Sequence, residues 1–130
     1  MRQQLSKSIR KLNVGKGGSD ELRFLELPFH AARTYWITGP TGPRGGHAHK
    51  NLRQVFVCIS GEVKIRLCDG VEEELISLQT GQAFSLDPGI WRDVLPLDKH
   101  DILFVIASEH YQEDDYIRSF ETYLEWNSDA

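Results

Sequence analysis

Between residues 44 and 50 the chain reads Arg-Gly-Gly-His-Ala-His-Lys, a dense concentration of groups that can move a proton or hold an anion. In an extended chain alternate side chains share a face, so His47 and His49 point the same way and Ala48 the other. Gly45 and Gly46 let the backbone bend or come close to a ligand. Histidine is the side chain best matched to proton transfer near neutral pH. A cation nearby, Arg44 or the more distant Arg92, disfavours the imidazolium and keeps the ring ready to accept a proton. The chemistry this suggests is a base-catalysed rearrangement of an anionic substrate. The plainer reading, two histidines hydrogen-bonded within a sheet, leaves the flanking Arg, Gly-Gly and Lys unexplained.

His-x-His is also half of a metal site. Completing it takes a carboxylate a few residues on and a third histidine from a distant hairpin. Position 54 is Gln instead, and the hairpin after Pro88-Gly89 continues Ile90-Trp91-Arg92. An arginine has no lone pair to offer and adds a positive charge, so the expectation is no metal. Tyr35 is a further polar candidate. In Thr34-Tyr35-Trp36-Ile37 it shares a face with Ile37, where it either donates a hydrogen bond to a substrate oxygen or fills the core with its hydroxyl at the edge. His30, His100 and His110 stand in loop-like settings.

The elements that must hold these residues read as short strands. Leu22–Leu27 is a first strand ended by Pro28, and Ala32–Thr38 a second, rich in aromatic and β-branched residues. Gly39 to Pro43 is a rigid loop leading into Arg44. Gln54–Ser60 is strongly strand-like. Val63–Leu67 alternates, with Val63, Ile65 and Leu67 inward and Lys64 and Arg66 outward. Asp69-Gly70 signals a hairpin, with Glu74–Leu78 as partner. Ala83–Leu86, Ile90–Leu95 and Asp101–Ala107 complete the set. Strands this short, separated by turn signals and without βα alternation, predict an all-β sandwich or small barrel. Phe120, Tyr123 and Leu124 share a helical face behind Ser119, a good N-cap, so a short C-terminal helix is expected. Residues 1–20, polar and glycine-containing, read as a flexible or partner-docked segment before a single domain at 21–130. Leu5, Ile9 and Leu12 there permit a short amphipathic helix or a docked tail.

The 130 residues suit one domain. A formal charge of −4 gives no support to nucleic-acid binding. The charge is unevenly spread: Arg2, Lys7, Arg10, Lys11, Lys16 and Arg23 stand near the start, while Glu109, Glu113, Asp114, Asp115, Glu121, Glu125 and Asp129 stand near the end. Either two solvated ends or two ends that attract each other, within a subunit or across a dimer, fits that pattern. Cys58 and Cys68 read as buried free thiols. No run has the ~18 apolar residues of a membrane span, and the start lacks the apolar core of a signal peptide. The expected location is the cytoplasm.

Pro43-Arg44-Gly45-Gly46-His47-Ala48-His49-Lys50, followed by Gln54-Val55-Phe56-Val57-Cys58-Ile59-Ser60-Gly61, closely resembles the cupin sugar 3,4-ketoisomerases that act on dTDP-4-keto-6-deoxyglucose, the WxcM-like sugar-nucleotide ketoisomerases. Arg33 to Ile37, Pro88 to Trp91 and Ala107 to Arg118 are similar to the same family, so the likeness runs through nearly all of residues 22–126. The resemblance implies a small jelly-roll (cupin) barrel, a homodimer that exchanges its N-terminal strand, no metal and no other cofactor, and a dTDP-linked keto sugar as partner. It implies an isomerase that moves the keto group from C4 to C3 through an enediol.

By that likeness His47 and His49 are the catalytic pair, with His49 assigned as the C3 base, His47 assisting and the two roles exchangeable. Tyr35 and Arg44 steady oxygen charge or bind phosphate. Arg92, Lys50, Arg53 and Arg66 are further candidates for holding the substrate, the last two only from a rim. Many members carry histidine where this chain has Arg92, which leaves the C4 configuration of the product open. The nearest rival is a metal-free 3,5-epimerase, which wants a histidine–aspartate pair; no aspartate partner for His47 or His49 is evident. A sugar-nucleotide-binding module without turnover is the other alternative.

Overall fold

The computed structural model describes residues 2–12, 14–18, 21–24 and 27–128, with 14–18, 21–24 and Gly45 described by backbone alone. One helical turn, α1 (Leu5–Ser8), runs into β1 (Ile9–Leu12), followed by the hairpin β2 (Val14–Gly18) and β3 (Glu21–Phe24). The first expected strand thus begins as β3, and its residues 25 and 26 lie outside the described residues. Then come β4 (Arg33–Thr38), β5 (Arg44–His49), β6 (Gln54–Ser60), β7 (Glu62–Cys68), β8 (Glu73–Gln79), β9 (Ala83–Leu86), β10 (Trp91–Val94) and β11 (Ile102–Ala107). A 3-10 turn (Glu113–Asp115), the two-residue β12 (Tyr116–Ile117) and α2 (Phe120–Ser128) close the described chain.

The strands form two five-stranded antiparallel sheets, ordered β1-β9-β6-β11-β4 and β12-β5-β10-β7-β8. This corrects the expected barrel. Among the described residues no ladder joins one sheet to the other, so neither closes. The reason lies at the β4 and β5–β12 edges, where the space between the sheets is a cavity. Its walls carry inward-pointing Arg33, Tyr35, Arg44, His47 and Arg118 in place of a backbone pairing. The all-β character and the C-terminal helix hold.

Alternation accounts for the core. In β7, Val63, Ile65 and Leu67 are fully buried between the sheets while Lys64 and Arg66 face out. Phe56, Phe84, Leu86, Leu103 and Val105 meet them from the other sheet. Each such side chain contributes roughly 1.5–3 kcal/mol of burial. β6 is buried on both faces from Gln54 to Cys58, because Leu27 and Phe29 pack over Val55 and Val57. α2 covers the outside of the second sheet, where Tyr123 packs with Ala48, Trp91 and Ile117. Its start is capped as expected, Thr122 N–H donating to Ser119 Oγ at 3.3 Å.

The N-terminal segment is tied to its own chain. β1 pairs with β9 from Ile9↔Leu86 to Leu12↔Ala83. The buried Asp69 carboxylate accepts Leu5 N–H at 2.9 Å and the N–H groups of Val71 and Glu72 at 2.8 Å each, and it meets Arg2 at 3.1 Å. The Leu5, Ile9, Leu12 spacing therefore resolves into one turn and a strand rather than a continuous helix. No helix among the described residues is long and apolar enough to cross a membrane.

Candidate active site

β5 carries the histidines as its extended geometry dictates: inner and outer faces alternate, and each face meets a different layer. On the outer face Ala48 packs beneath α2, and Gly46 leaves room for Trp91. A Cβ at Gly46 would lie 2.5 Å from Trp91 Nε1 and 2.3 Å from Asp93 Oδ1, so only glycine lets the strands approach here. On the inner face stand His47 and His49. Across the ladders His47 pairs with Arg92 of β10 and His49 with Tyr116 of β12. The register shifts between Arg92 and Val94, the kind of irregularity that re-aims a side chain beside a site.

The two imidazoles touch, Nε2 to Nε2 at 3.1 Å, with rings nearly perpendicular at 88°. His49 is 0% exposed and lies behind His47, which lines the cavity. Behind His49, in turn, stands Asp115, whose Oδ2 is 3.0 Å from His49 Nδ1. The same carboxylate accepts the N–H groups of Asn51 at 2.7 Å and Leu52 at 3.2 Å, which hold it in place. Because it only accepts, His49 carries its proton on Nδ1, and His49 Nε2 receives the Nε2–H of His47. Burial, and after it the Arg92 guanidinium, pushes the His49 imidazole far below its ordinary value, to about 2. The ring is neutral, as the sequence reading required of a proton acceptor, though burial outweighs the arginine. The Tyr116 ring closes the side of the pair, its centroid 4.3 Å from that of His49 and 5.1 Å from that of His47.

A second set faces this one. Arg92 is 2% exposed, and its guanidinium donates to Ile90 O at 3.2 and 2.8 Å and to Gln54 Oε1 at 2.6 Å. Among the described residues it has no carboxylate partner. Burial lowers its pKa to about 10, so it stays cationic at neutral pH. Gln54 Nε2 lies 3.3 Å from the Tyr35 hydroxyl. Burial raises the Tyr35 phenol, against the pull of Arg33, Arg92 and the Gln54 bond, so it stays protonated. Gln54 and Arg92, the positions where a metal barrel would carry further ligands, are bonded to each other.

Between the two sets lies a cavity of ≈ 780 Å³, lined by Tyr35, His47, Gln54, Arg92 and Tyr116 with the apolar Phe56, Val94, Leu103 and Val105. That is the size of site that takes a small organic ligand. Arg33, Arg44 and Arg118 stand around it. Arg118 lies 4.2 Å over the Tyr116 ring and is held by Glu113 through bonds of 2.7 and 2.9 Å. Arg33 lies over Tyr35 and Tyr111 at 5.4 and 5.8 Å.

The structure thus brings together His47, His49, Tyr35, Arg44 and Arg92. It leaves out three of the cations named from sequence. Lys50 is exposed beyond the end of β5. Arg53 lies 3.9 Å from Asp87 beside a separate, smaller cleft. Arg66 lies 3.8 Å from Glu73 on the solvent side of β7. His30, His100 and His110 are exposed, as expected. Asp115, Tyr116, Arg33 and Arg118 were not singled out for the site, and Gln54 was read only as a poor metal ligand. Asp115 ends the run Glu113-Asp114-Asp115, which reads as solvated charge; its nearest cue is the Tyr116-Ile117 pair that follows.

The WxcM-like, C-terminal family matches residues 8–128. A TDP-4-oxo-6-deoxy-alpha-D-glucose-3,4-oxoisomerase of Aneurinibacillus thermoaerophilus is 33% identical over 103 residues, 77% of this chain and 74% of the relative. Among solved structures, the sugar 3,4-ketoisomerase QdtA from Thermoanaerobacterium thermosaccharolyticum, in complex with TDP, superposes with a TM-score of 0.85 at 30% identity over 94% of this chain and 96% of its own. The TDP-quinovose 3,4-ketoisomerase WlaRB from Campylobacter jejuni gives 0.82 at 32% identity over 92% and 98%.

Proposed function

From the premise that the chain belongs to the WxcM-like, C-terminal family, we propose that it is a sugar-nucleotide 3,4-ketoisomerase converting dTDP-4-keto-6-deoxyglucose to a dTDP-3-keto-6-deoxyhexose through an enediol. The observation that carries the reading is the file His47–His49–Asp115 ending at a cavity wall, with the Tyr35 hydroxyl of the opposite sheet lining the same cavity.

The C4 carbonyl acidifies the proton on C3. His47, the member of the pair on the wall, takes that proton, and its Nε2–H stays bonded to the neutral His49, whose own Nδ1–H rests on Asp115. The positive charge gained is thereby spread toward a carboxylate. Tyr35 donates to the oxygen on C4 as negative charge develops there. The oxygen on C4 takes up a proton as the enediol forms, the C3 hydroxyl then gives up its own, and the proton taken from C3 is returned to C4, which leaves the keto group at C3 with no net change in atoms or electrons. The roles of the histidines are exchanged relative to the first assignment, because His49 is enclosed whereas His47 lines the cavity. Arg33, Arg44 and Arg118 suit the diphosphate.

A second copy of the chain is the further partner. The outer face of the first sheet carries Trp36, 66% exposed and stacked on Phe104, with exposed Ile59 on the same sheet, apolar surface of the kind that marks a contact. β1 holds the edge of that sheet, so an exchanged N-terminal strand would make the same ladder with a partner. Sedimentation at several concentrations should give a dimer; a concentration-independent monomer overturns this. The free thiols Cys58 and Cys68 are in keeping with a reducing cytoplasm.

The test is proton NMR of the protein with dTDP-4-keto-6-deoxyglucose in deuterated water. A 3-keto product with exchange at the migrating position is expected. Exchange at C5 with inversion would make it an epimerase, and binding without exchange at either carbon a sugar-nucleotide-binding module.

A further inference from the structure

We infer that Gln54 is a positioning residue that fixes the direction of the Tyr35 hydroxyl, so that Tyr35 can only donate to the substrate oxygen. The inference rests on the ketoisomerase reading and goes one layer behind it.

The direction follows from the hydrogen-bond inventory. A guanidinium donates and never accepts. The Gln54 atom 2.6 Å from Arg92 is therefore the carbonyl Oε1, which leaves Nε2, a donor, facing the Tyr35 oxygen at 3.3 Å. A hydroxyl that receives a bond from Gln54 must send its own hydrogen elsewhere. Among the described residues Tyr35 Oη has no other hydrogen-bond partner, and its side chain lines the cavity. The hydrogen is thus directed at whatever fills the cavity. Arg92 acts at the far end of the file: its charge polarises the amide, and the amide polarises the phenol.

The file is rigidly held. Gln54 begins β6, in register with Leu86 of β9 on one side and Ala107 of β11 on the other, and its side chain is 2% exposed. Arg92 is clamped twice to the carbonyl of Ile90. A merely structural Gln54 would serve to satisfy Arg92, and a carboxylate there would do so better by giving a buried cation its counter-charge. Gln54→Glu separates the two roles. It keeps an acceptor toward Arg92 but turns the group facing Tyr35 from donor to acceptor, drawing the phenolic hydrogen away from the substrate.

The experiment is steady-state turnover of dTDP-4-keto-6-deoxyglucose by the wild-type protein, Gln54→Glu, Tyr35→Phe and the double variant, with TDP affinity by calorimetry. Gln54→Glu should lower kcat about 100-fold, the scale of losing one oxyanion donor, with TDP affinity within about twofold. Added to Tyr35→Phe it should cost no more than about twofold further, since the hydrogen it redirects is already gone. Should Gln54→Glu fail to fold, Gln54→Met takes its place, with a loss of kcat and unchanged TDP affinity expected. Wild-type turnover beside unimpaired turnover by the Gln54 variant overturns this inference alone, as does a loss that adds in full to Tyr35→Phe. A wild-type protein that binds TDP yet never isomerises overturns the reading beneath it.

Discussion

Two hydrogen-bonded files of three residues reach the cavity, the first only by its tip and the second along its length, and they run in opposite electrical directions. Asp115–His49–His47 begins at a carboxylate, lies on one edge of the second sheet and ends in an imidazole pair with a shared proton. Arg92–Gln54–Tyr35 begins at a guanidinium, crosses from the second sheet to the first and ends in a phenol. The first can take up a positive charge and so suits the base. The second can steady a negative charge and so suits the donor. Moving a carbonyl along a carbon chain needs both at once, because the carbon that loses a proton and the oxygen that gains charge are neighbours. The contrast also separates cost from use. Asp115 is satisfied by Asn51 and Leu52 before it touches His49, whereas Arg92 is buried without a carboxylate in contact among the described residues, a cost a fold bears where an anion will form.

The largest expected effect breaks the first file at its tip. His47→Asn should reduce kcat by about 10³ or more while leaving TDP affinity nearly unchanged, since general-base catalysis is worth roughly 10²–10⁴. His49→Asn should be severe as well. Near-normal turnover in His47→Asn would leave the file without a chemical role. Next, Asp115→Asn presents an amide N–H to His49 Nδ1 and drives the ring to the other tautomer, which then offers Nε2–H to His47 instead of accepting from it. A loss of about 10²–10³ in kcat is expected, by the logic of a carboxylate that fixes a catalytic tautomer. If Asp115→Asn melts earlier but turns over at the wild-type rate, Asp115 is a loop anchor only. Tyr35→Phe removes the tip of the second file and should cost about 10²-fold in kcat; an effect confined to KM would recast Tyr35 as a binding residue.

How far the sequence carries these files differs sharply between their ends and their middles. The tips were legible. His47 and His49 lie on one face because a strand has period two, and Tyr35 is inward because Trp36 beside it is outward and exposed. Most of the strands from β4 to β11 were legible for the same reason, down to the bounds of β6 and β9, while β1, β2 and β12 were not. The supporting residues were not. Asp115 stands 66 positions from His49, and nothing in Glu-Asp-Asp tells a buried carboxylate from two solvated ones. Gln54 was visible only as the residue a metal site would not use; its meaning depends on Arg92, 38 positions on, being bonded to it. The expectation of a closed barrel failed for a related reason. Alternation fixes which way each side chain points but not which edges pair, and β4 and β12 leave theirs apart around the cavity.

The smallest effect distinguishes the files by pH. His49 has its imidazole pushed from 6.5 to about 2 in the folded chain, burial first and Arg92 second, so the unfolded chain binds this proton below pH 6.5 while the folded chain does not. Stability is therefore full above that pH and falls as pH drops through it. The slope is about 1.4 kcal/mol per pH unit for one proton. Arg92 moves only to about 10, so it is charged in both states throughout this range and contributes no slope. Between pH 6.5 and 5, above the range where carboxylates titrate, the first file alone responds. Denaturant unfolding should show the wild-type protein losing about 2 kcal/mol over that interval, with the loss absent in His49→Asn. An equal loss in both would mean that the imidazole is not held neutral, and that His49 is not the neutral acceptor against which a charged His47 rests.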